Sequence, residues 1–261
     1  MDTVRSGRKK RRGIYLLPNL FTTAALFAGF YAIVASMGER FEAAAVAIFI
    51  AMVLDGIDGR VARMTHTQST FGAEYDSLAD MVSFGLAPAL VVYAWSLSWL
   101  GKLGWLAAFI YAAGAALRLA RYNTQVASAD KRYFQGLPSP SAAALLAGLV
   151  WFGDGYGITG QTAVGLTMAI TLAAGLLMVS NIRYHSFKEL DLRGRVPFAA
   201  ILVVVLVFVF VSSDPPLVLF LMFATYALSG PAITLFQIRR RRAARRLGEQ
   251  RPPAERRTRA K

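Results

Sequence analysis

The chain has 261 residues, 56% of them apolar, and a mean hydropathy of +0.45, which excludes an ordinary soluble domain. Several apolar runs reach the roughly 20 residues that a bilayer crossing requires. The net charge of +14 is crowded at the two ends and in alternate loops, which argues for a membrane surface and against nucleic acid as its partner.

Residues 1–13, MDTVRSGRKKRRG, form a basic juxtamembrane arm suited to anionic lipid. The apolar run behind it is too long for a signal sequence and lacks a small-x-small cleavage site, so a retained helix is expected. Segment 1 covers about 14–37, with Pro18-Asn19 in its first turn, where proline is tolerated. Segment 2 covers about 41–64. Segment 3 covers about 71–97, with a kink expected at Pro88. Segment 4, about 103–123, ends in RLARYN. The loop TQVASADKRYFQGLPSPS leads into a short segment 5 at about 140–152 and segment 6 at about 162–179. A polar loop, NIRYHSFKELDLRGR, precedes segment 7 (about 196–211) and segment 8 (about 216–238), the last with a kink expected at Gly230-Pro231. Residues 239–261 are almost devoid of apolar side chains and are expected to be disordered or lipid-bound.

Charge orients these segments. With the N-terminus in the cytoplasm, 27 of the 29 Lys and Arg residues fall on the inner side, and only Arg40 and Lys102 lie outside. The expected architecture is therefore an all-α polytopic membrane protein of about eight transmembrane helices, with both termini cytoplasmic. A transmembrane catalytic domain at 14–238 is flanked by the arm at 1–13 and the tail at 239–261. Cysteine is absent, and His66 and His185 alone are too few for a His-rich metal site.

Between segments 2 and 3 lies DGIDGRVARMTHTQSTFGAEYDSLAD, residues 55–80. Asp55 and Asp58 are three apart and Asp76 and Asp80 four apart, so each pair shares a helix face. A carboxylate inside a membrane helix costs roughly 2.5–3.5 kcal/mol, so four cost on the order of 10 kcal/mol. Arg60 and Arg63 offset at most two of these charges. Divalent cations resolve the conflict, and an all-oxygen site suits hard ions such as Mg²⁺ or Mn²⁺. Gly56, Gly59 and Gly72 leave room beside the acids for a bulky ligand.

The spacing Asp55-x2-Asp58-Gly59-x2-Ala62-Arg63-x8-Gly72-x3-Asp76-x3-Asp80 matches the signature of the CDP-alcohol phosphotransferases at every fixed position. The chain resembles this family of integral membrane enzymes, which move a phosphatidyl or similar group from a CDP-linked donor to an alcohol. The resemblance implies that Asp55, Asp58, Asp76 and Asp80 hold divalent metal, two ions in all, and that Asp80 doubles as the base. It also implies that Pro18, Asn19, Gly59, Ala62, Arg63, Ser69 and Gly72 bind CDP-diacylglycerol. A homodimer in the cell membrane, with the first six helices forming the catalytic bundle and the site facing the cytoplasm, belongs to the same expectation.

RLARYN at 118–123 and FQGLPSP at 134–140 resemble segments of the phosphatidylserine synthases within that family. The implied acceptor is L-serine, with Arg118, Arg121 and Asn123 as its contacts; a serine carboxylate matches a guanidinium well. Enzymes making phosphatidylglycerophosphate or a phosphatidylinositol phosphate are the alternative. Their phosphorylated acceptors require a second basic cluster, for which Lys131-Arg132 and Arg183 are the available residues. A cation transporter using the aspartates is the remote alternative. Transporters place such acids near the midplane within repeats. Here fourteen residues precede Asp55 in segment 2, a rise of about 21 Å that puts it near one face, and no repeat is evident.

Overall fold

The computed structural model describes residues 16–65, 69–125, 133–185 and 198–249. The basic arm expected over 1–13 lies outside them, as does the end of the tail. Each of the eight expected apolar segments is helical. They form α1 (Leu16–Met37), α2 (Phe41–Thr65), α3 (Thr70–Asp80) continued through a π-helical turn (Met81–Leu86) into α4 (Ala87–Trp95), and α5 (Lys102–Gln125). After these come α6 (Ser139–Gly155), α7 (Val164–Val179), α8 (Phe198–Ser213) and α9 (Pro215–Glu249). α9 runs on past the boundary expected at residue 238.

Among the described residues, four helices are long and apolar enough to cross a membrane: Pro18–Met37, Thr70–Trp95, Lys102–Thr124 and Pro215–Phe236. The other segments fall short for physical reasons. α2 carries Asp55, Asp58, Arg60 and Arg63 in its second half, whereas α6, α7 and α8 have 17, 16 and 16 residues. At 1.5 Å per residue such helices rise about 24–26 Å, a little less than the roughly 30 Å of hydrocarbon.

Small side chains set the packing. Ala28, Ala32 and Ala35 of α1 and Ala44, Ala45, Ala47 and Ala51 of α2 are buried in one core, which lets the two backbones approach closely. Where α5 crosses α7, a Cβ on Gly114 would lie 2.6 Å from the Gly175 carbonyl oxygen, so only glycine fits. Larger rings close the other side of the bundle, with Phe49 of α2 6.0 Å from Trp151 of α6 and 6.2 Å from Phe223 of α9.

The distortion expected at Pro88 lies one turn earlier, as the π-helical turn. Proline has no N–H to give the carbonyl four residues back. That carbonyl, Phe84, instead accepts a hydrogen bond from the buried Tyr111 hydroxyl at 3.0 Å. Ser83, in the same turn, donates to the Ala25 carbonyl at 3.0 Å, and Gly29 is the residue that lets α1 come so near.

One element departs from the all-α expectation. β1 (Tyr133–Gln135) and β2 (Arg183–His185) form a short antiparallel ladder with Phe134 opposite Tyr184. Gly136 follows β1 with φ of 76°, and a Cβ there would lie 2.2 Å from the Met178 carbonyl oxygen. Its N–H donates to Ile182 at 2.8 Å, and the Leu137 N–H donates to Leu177 at 3.0 Å. The GLPSP segment is thereby locked against the end of α7 and starts α6 at a set place. Tyr184 is buried, donates its hydroxyl to the Ala227 carbonyl at 2.9 Å, and presses its ring on Gly230, which anchors α9.

Candidate functional site

Three of the four acids, one from α2 and two from α3, meet in space. One carboxylate oxygen from each of Asp55, Asp76 and Asp80 lies within 4.8 Å of the others. Asp55 and Asp80 are in hydrogen-bonding contact. Asp76 Oδ1 is buried without a hydrogen-bond partner. Ligand oxygens around one Mg²⁺ sit roughly 3–4 Å apart, since each is about 2.0–2.1 Å from the ion. Three hard oxygens near that spacing, from carboxylates of which one also has an orphaned oxygen, fit a divalent cation.

Asp58 stands apart from this group. It is 4% exposed, and its Oδ2 accepts a hydrogen bond from Thr22 Oγ1 at 2.7 Å. The sequence spacing places all four acids along one gap. The packing of α1 against α2 takes one of them up with a hydroxyl, because a buried carboxylate needs a donor.

Of the residues expected to contact the donor, Asn19, Ser69 and Gly72 come together at the start of α3. Ser69 is the N-cap, its Oγ accepting from the Gly72 N–H at 3.0 Å. A Cβ on Gly72 would lie 3.1 Å from Ser69 Oγ and 3.5 Å from Asn19 Oδ1, so this glycine admits Asn19 of α1. Pro18 is buried one residue earlier. A Cβ on Gly56 or Gly59 would meet nothing within 4 Å, leaving open space beside the α2 acids. Ala62 is half-buried and Arg63 exposed in the last turns of α2.

The three residues at the end of α5 part company. Arg118 Nη1 donates to Ser139 Oγ at 2.7 Å, its Nε is buried without a partner, and it interacts electrostatically with Asp80. Arg121 turns to the C-terminus of α7, donating to the Val179 carbonyl at 2.8 Å and to Asn181 Oδ1 at 3.2 Å. There it satisfies the carbonyl of the last helical residue, which has no partner inside the helix. Asn123 Nδ2 donates to Ser77 Oγ at 3.0 Å, pinning α5 beside Asp76.

Sequence reasoning missed Thr22, Tyr75, Ser77 and Ser139. Thr22 lies three residues after Asn19, on the same face of α1, which is a usable signal. Tyr75, whose hydroxyl is 2.9 Å from Thr23 Oγ1, and Ser139 give none without the fold.

Comparison with known proteins supplies the remaining context. A family model described as CDP-alcohol phosphatidyltransferase matches residues 15–180. A CDP-diacylglycerol–serine O-phosphatidyltransferase of Helicobacter pylori is 37% identical over 196 residues, covering 75% of this chain and 83% of that protein. Proteins with the same description in Mycobacterium tuberculosis and Saccharomyces cerevisiae are 42% identical over 185 residues and 38% identical over 141 residues. The first covers 66% of this chain and 62% of that protein, the second 48% and 50%.

Proposed function

The chain belongs to the CDP-alcohol phosphatidyltransferase family, and on that premise we propose that it transfers the phosphatidyl group of CDP-diacylglycerol to the hydroxyl of L-serine, giving phosphatidylserine and CMP. The observation that carries this reading is the meeting of Asp55, Asp76 and Asp80 at one point, with the half-buried, incompletely paired guanidinium of Arg118 interacting with Asp80. Release of CMP that requires both CDP-diacylglycerol and L-serine tests it; no release with that pair would end the reading.

Asp55, Asp76 and Asp80 would hold Mg²⁺ or Mn²⁺, and a second ion would draw on Asp58. When bound, the metal supplies positive charge against the donor's diphosphate. The proposed donor contacts are Pro18, Asn19, Gly59, Ala62, Arg63, Ser69 and Gly72. Their support is the approach of Asn19 to Ser69 and Gly72 and the open space at Gly59. The acceptor hydroxyl attacks the lipid-side phosphorus, the bond to CMP breaks, and Asp80 takes the hydroxyl proton. Arg118 receives the serine carboxylate. Arg121 and Asn123 serve the site by holding α5 to α7 and α3, since their polar groups are already engaged there.

All eight apolar segments are read as crossings of the cell membrane, with the acid site, the arm at 1–13 and the tail at 239–261 on the cytoplasmic side. Contacts between loops support the arrangement. Tyr156, after α6, donates its hydroxyl to Asp214, before α9, and Ser96, after α4, donates to the Gly160 carbonyl at 2.6 Å. These loops thus share one end of the bundle, the end opposite the acids in the charge-derived topology. A Cys introduced at Gly155 is expected to react with an impermeant thiol reagent from outside the cell; reaction from the cytoplasmic side alone would contradict the topology. The homodimer is proposed from the family alone, and a monomeric, active species in detergent would remove it.

A further inference from the structure

Ser139 is buried, with 1% of its surface exposed, at the first residue of α6. A serine one residue earlier, at the cap position, would spend its hydroxyl on a free N–H of the first turn. Here the cap position is Pro138, and no side chain caps the helix. The Ser139 hydroxyl is turned instead to Arg118 Nη1, across the α5–α6 boundary. Its place is set from both sides, by the Gly136 and Leu137 hydrogen bonds to the end of α7 and by Pro138 and Pro140 around it.

A guanidinium has two edges that can grip a carboxylate with parallel N–H donors. Holding Nη1 occupies one side and fixes the plane, which leaves the edge bearing Nε–H. That N–H is buried without a partner. A buried donor left unmatched costs about 1–3 kcal/mol, so an arrangement that keeps one points to a ligand that satisfies it.

We propose that Ser139 is a positioning residue for the acceptor. By fixing Arg118 through Nη1, it presents the Nε edge of the guanidinium to the carboxylate of an amino-acid alcohol. The inference rests on the reading of L-serine as acceptor. It adds that discrimination for the carboxylate depends on a hydroxyl that does not itself touch the substrate.

The test is CMP release by the purified full chain at saturating CDP-diacylglycerol, titrating L-serine or serinol, which keeps the hydroxyl and amine and lacks the carboxylate. Ser139→Ala is expected to raise the KM for L-serine roughly tenfold, as loss of a hydrogen bond to a charged group implies. The KM for serinol and for the donor should stay within about twofold of the parent, and Ser139→Thr should restore the L-serine value. Ser139→Cys, which keeps the size and is a poor acceptor, should behave as Ser139→Ala and carries the test if the alanine protein does not fold. Equal rises for L-serine and serinol, or no rise for either, would overturn the proposal. Arg118→Gln separates the two claims. If it raises the L-serine KM while Ser139→Ala does not, only the positioning role fails. If neither change affects it, Arg118 as the carboxylate seat fails as well.

Discussion

Asp80→Asn is expected to lose turnover with L-serine by at least about 10²-fold while the protein still binds CDP-diacylglycerol in the presence of metal. The substitution keeps the side chain's shape and one oxygen for an ion, and removes the group that accepts a proton. General-base assistance contributes about 10²–10⁴-fold, so a loss in that range identifies the role. Position favours Asp80 for it. Asp80 is the last residue of α3, one helical turn beyond Asp76, and it interacts with Arg118, where the acceptor's carboxylate is proposed to sit. Asp55→Asn, in contrast, should lose donor binding too, because Asp55 adjoins the open glycine-lined space of α2. Single-turnover rates and donor-binding titrations on the two variants check the assignment. Near-normal turnover in Asp80→Asn would remove it and make Asp76 the next candidate.

Removal of divalent cations is expected to abolish CMP release, and Mg²⁺ or Mn²⁺ to restore it. Two carboxylates 4–5 Å apart repel by about 3–4 kcal/mol at an effective dielectric near 20, and three of them meet here. Arg118 interacts with Asp80, and Arg60 and Arg63 are exposed. Asp76 Oδ1 adds a buried acceptor with no donor. A cation bound by Asp76 removes both costs, so Asp76→Asn should also raise the metal concentration needed for half-maximal activity, by roughly tenfold or more. Full turnover in excess EDTA would contradict the metal assignment.

Much of this was legible in the sequence, and the rest was not for identifiable reasons. The acid pairs are a local matter: intervals of three and four fix their helix face, and the apolar runs on either side fix the helices. What happened to Asp58 depends on Thr22, thirty-six positions away, and so on how α1 packs against α2. Arg118 and Arg121 sit three apart with the same chemistry, and only the fold sends one to Ser139 and the other to the end of α7. Pro88 announced a break in segment 3. Its displacement to residues 81–86 required knowing that Tyr111 of α5 would take the freed carbonyl. The β1–β2 ladder pairs residues about fifty apart over three positions each, too short for any periodicity to show.

The most direct test of the central claim is CMP release by the purified chain with CDP-diacylglycerol, Mg²⁺ or Mn²⁺, and one alcohol at a time: L-serine, glycerol 3-phosphate or an inositol phosphate. The account predicts CMP release with L-serine, matched mole for mole by phosphatidylserine, and little with either phosphorylated alcohol. Release with a phosphorylated alcohol and none with L-serine would contradict it.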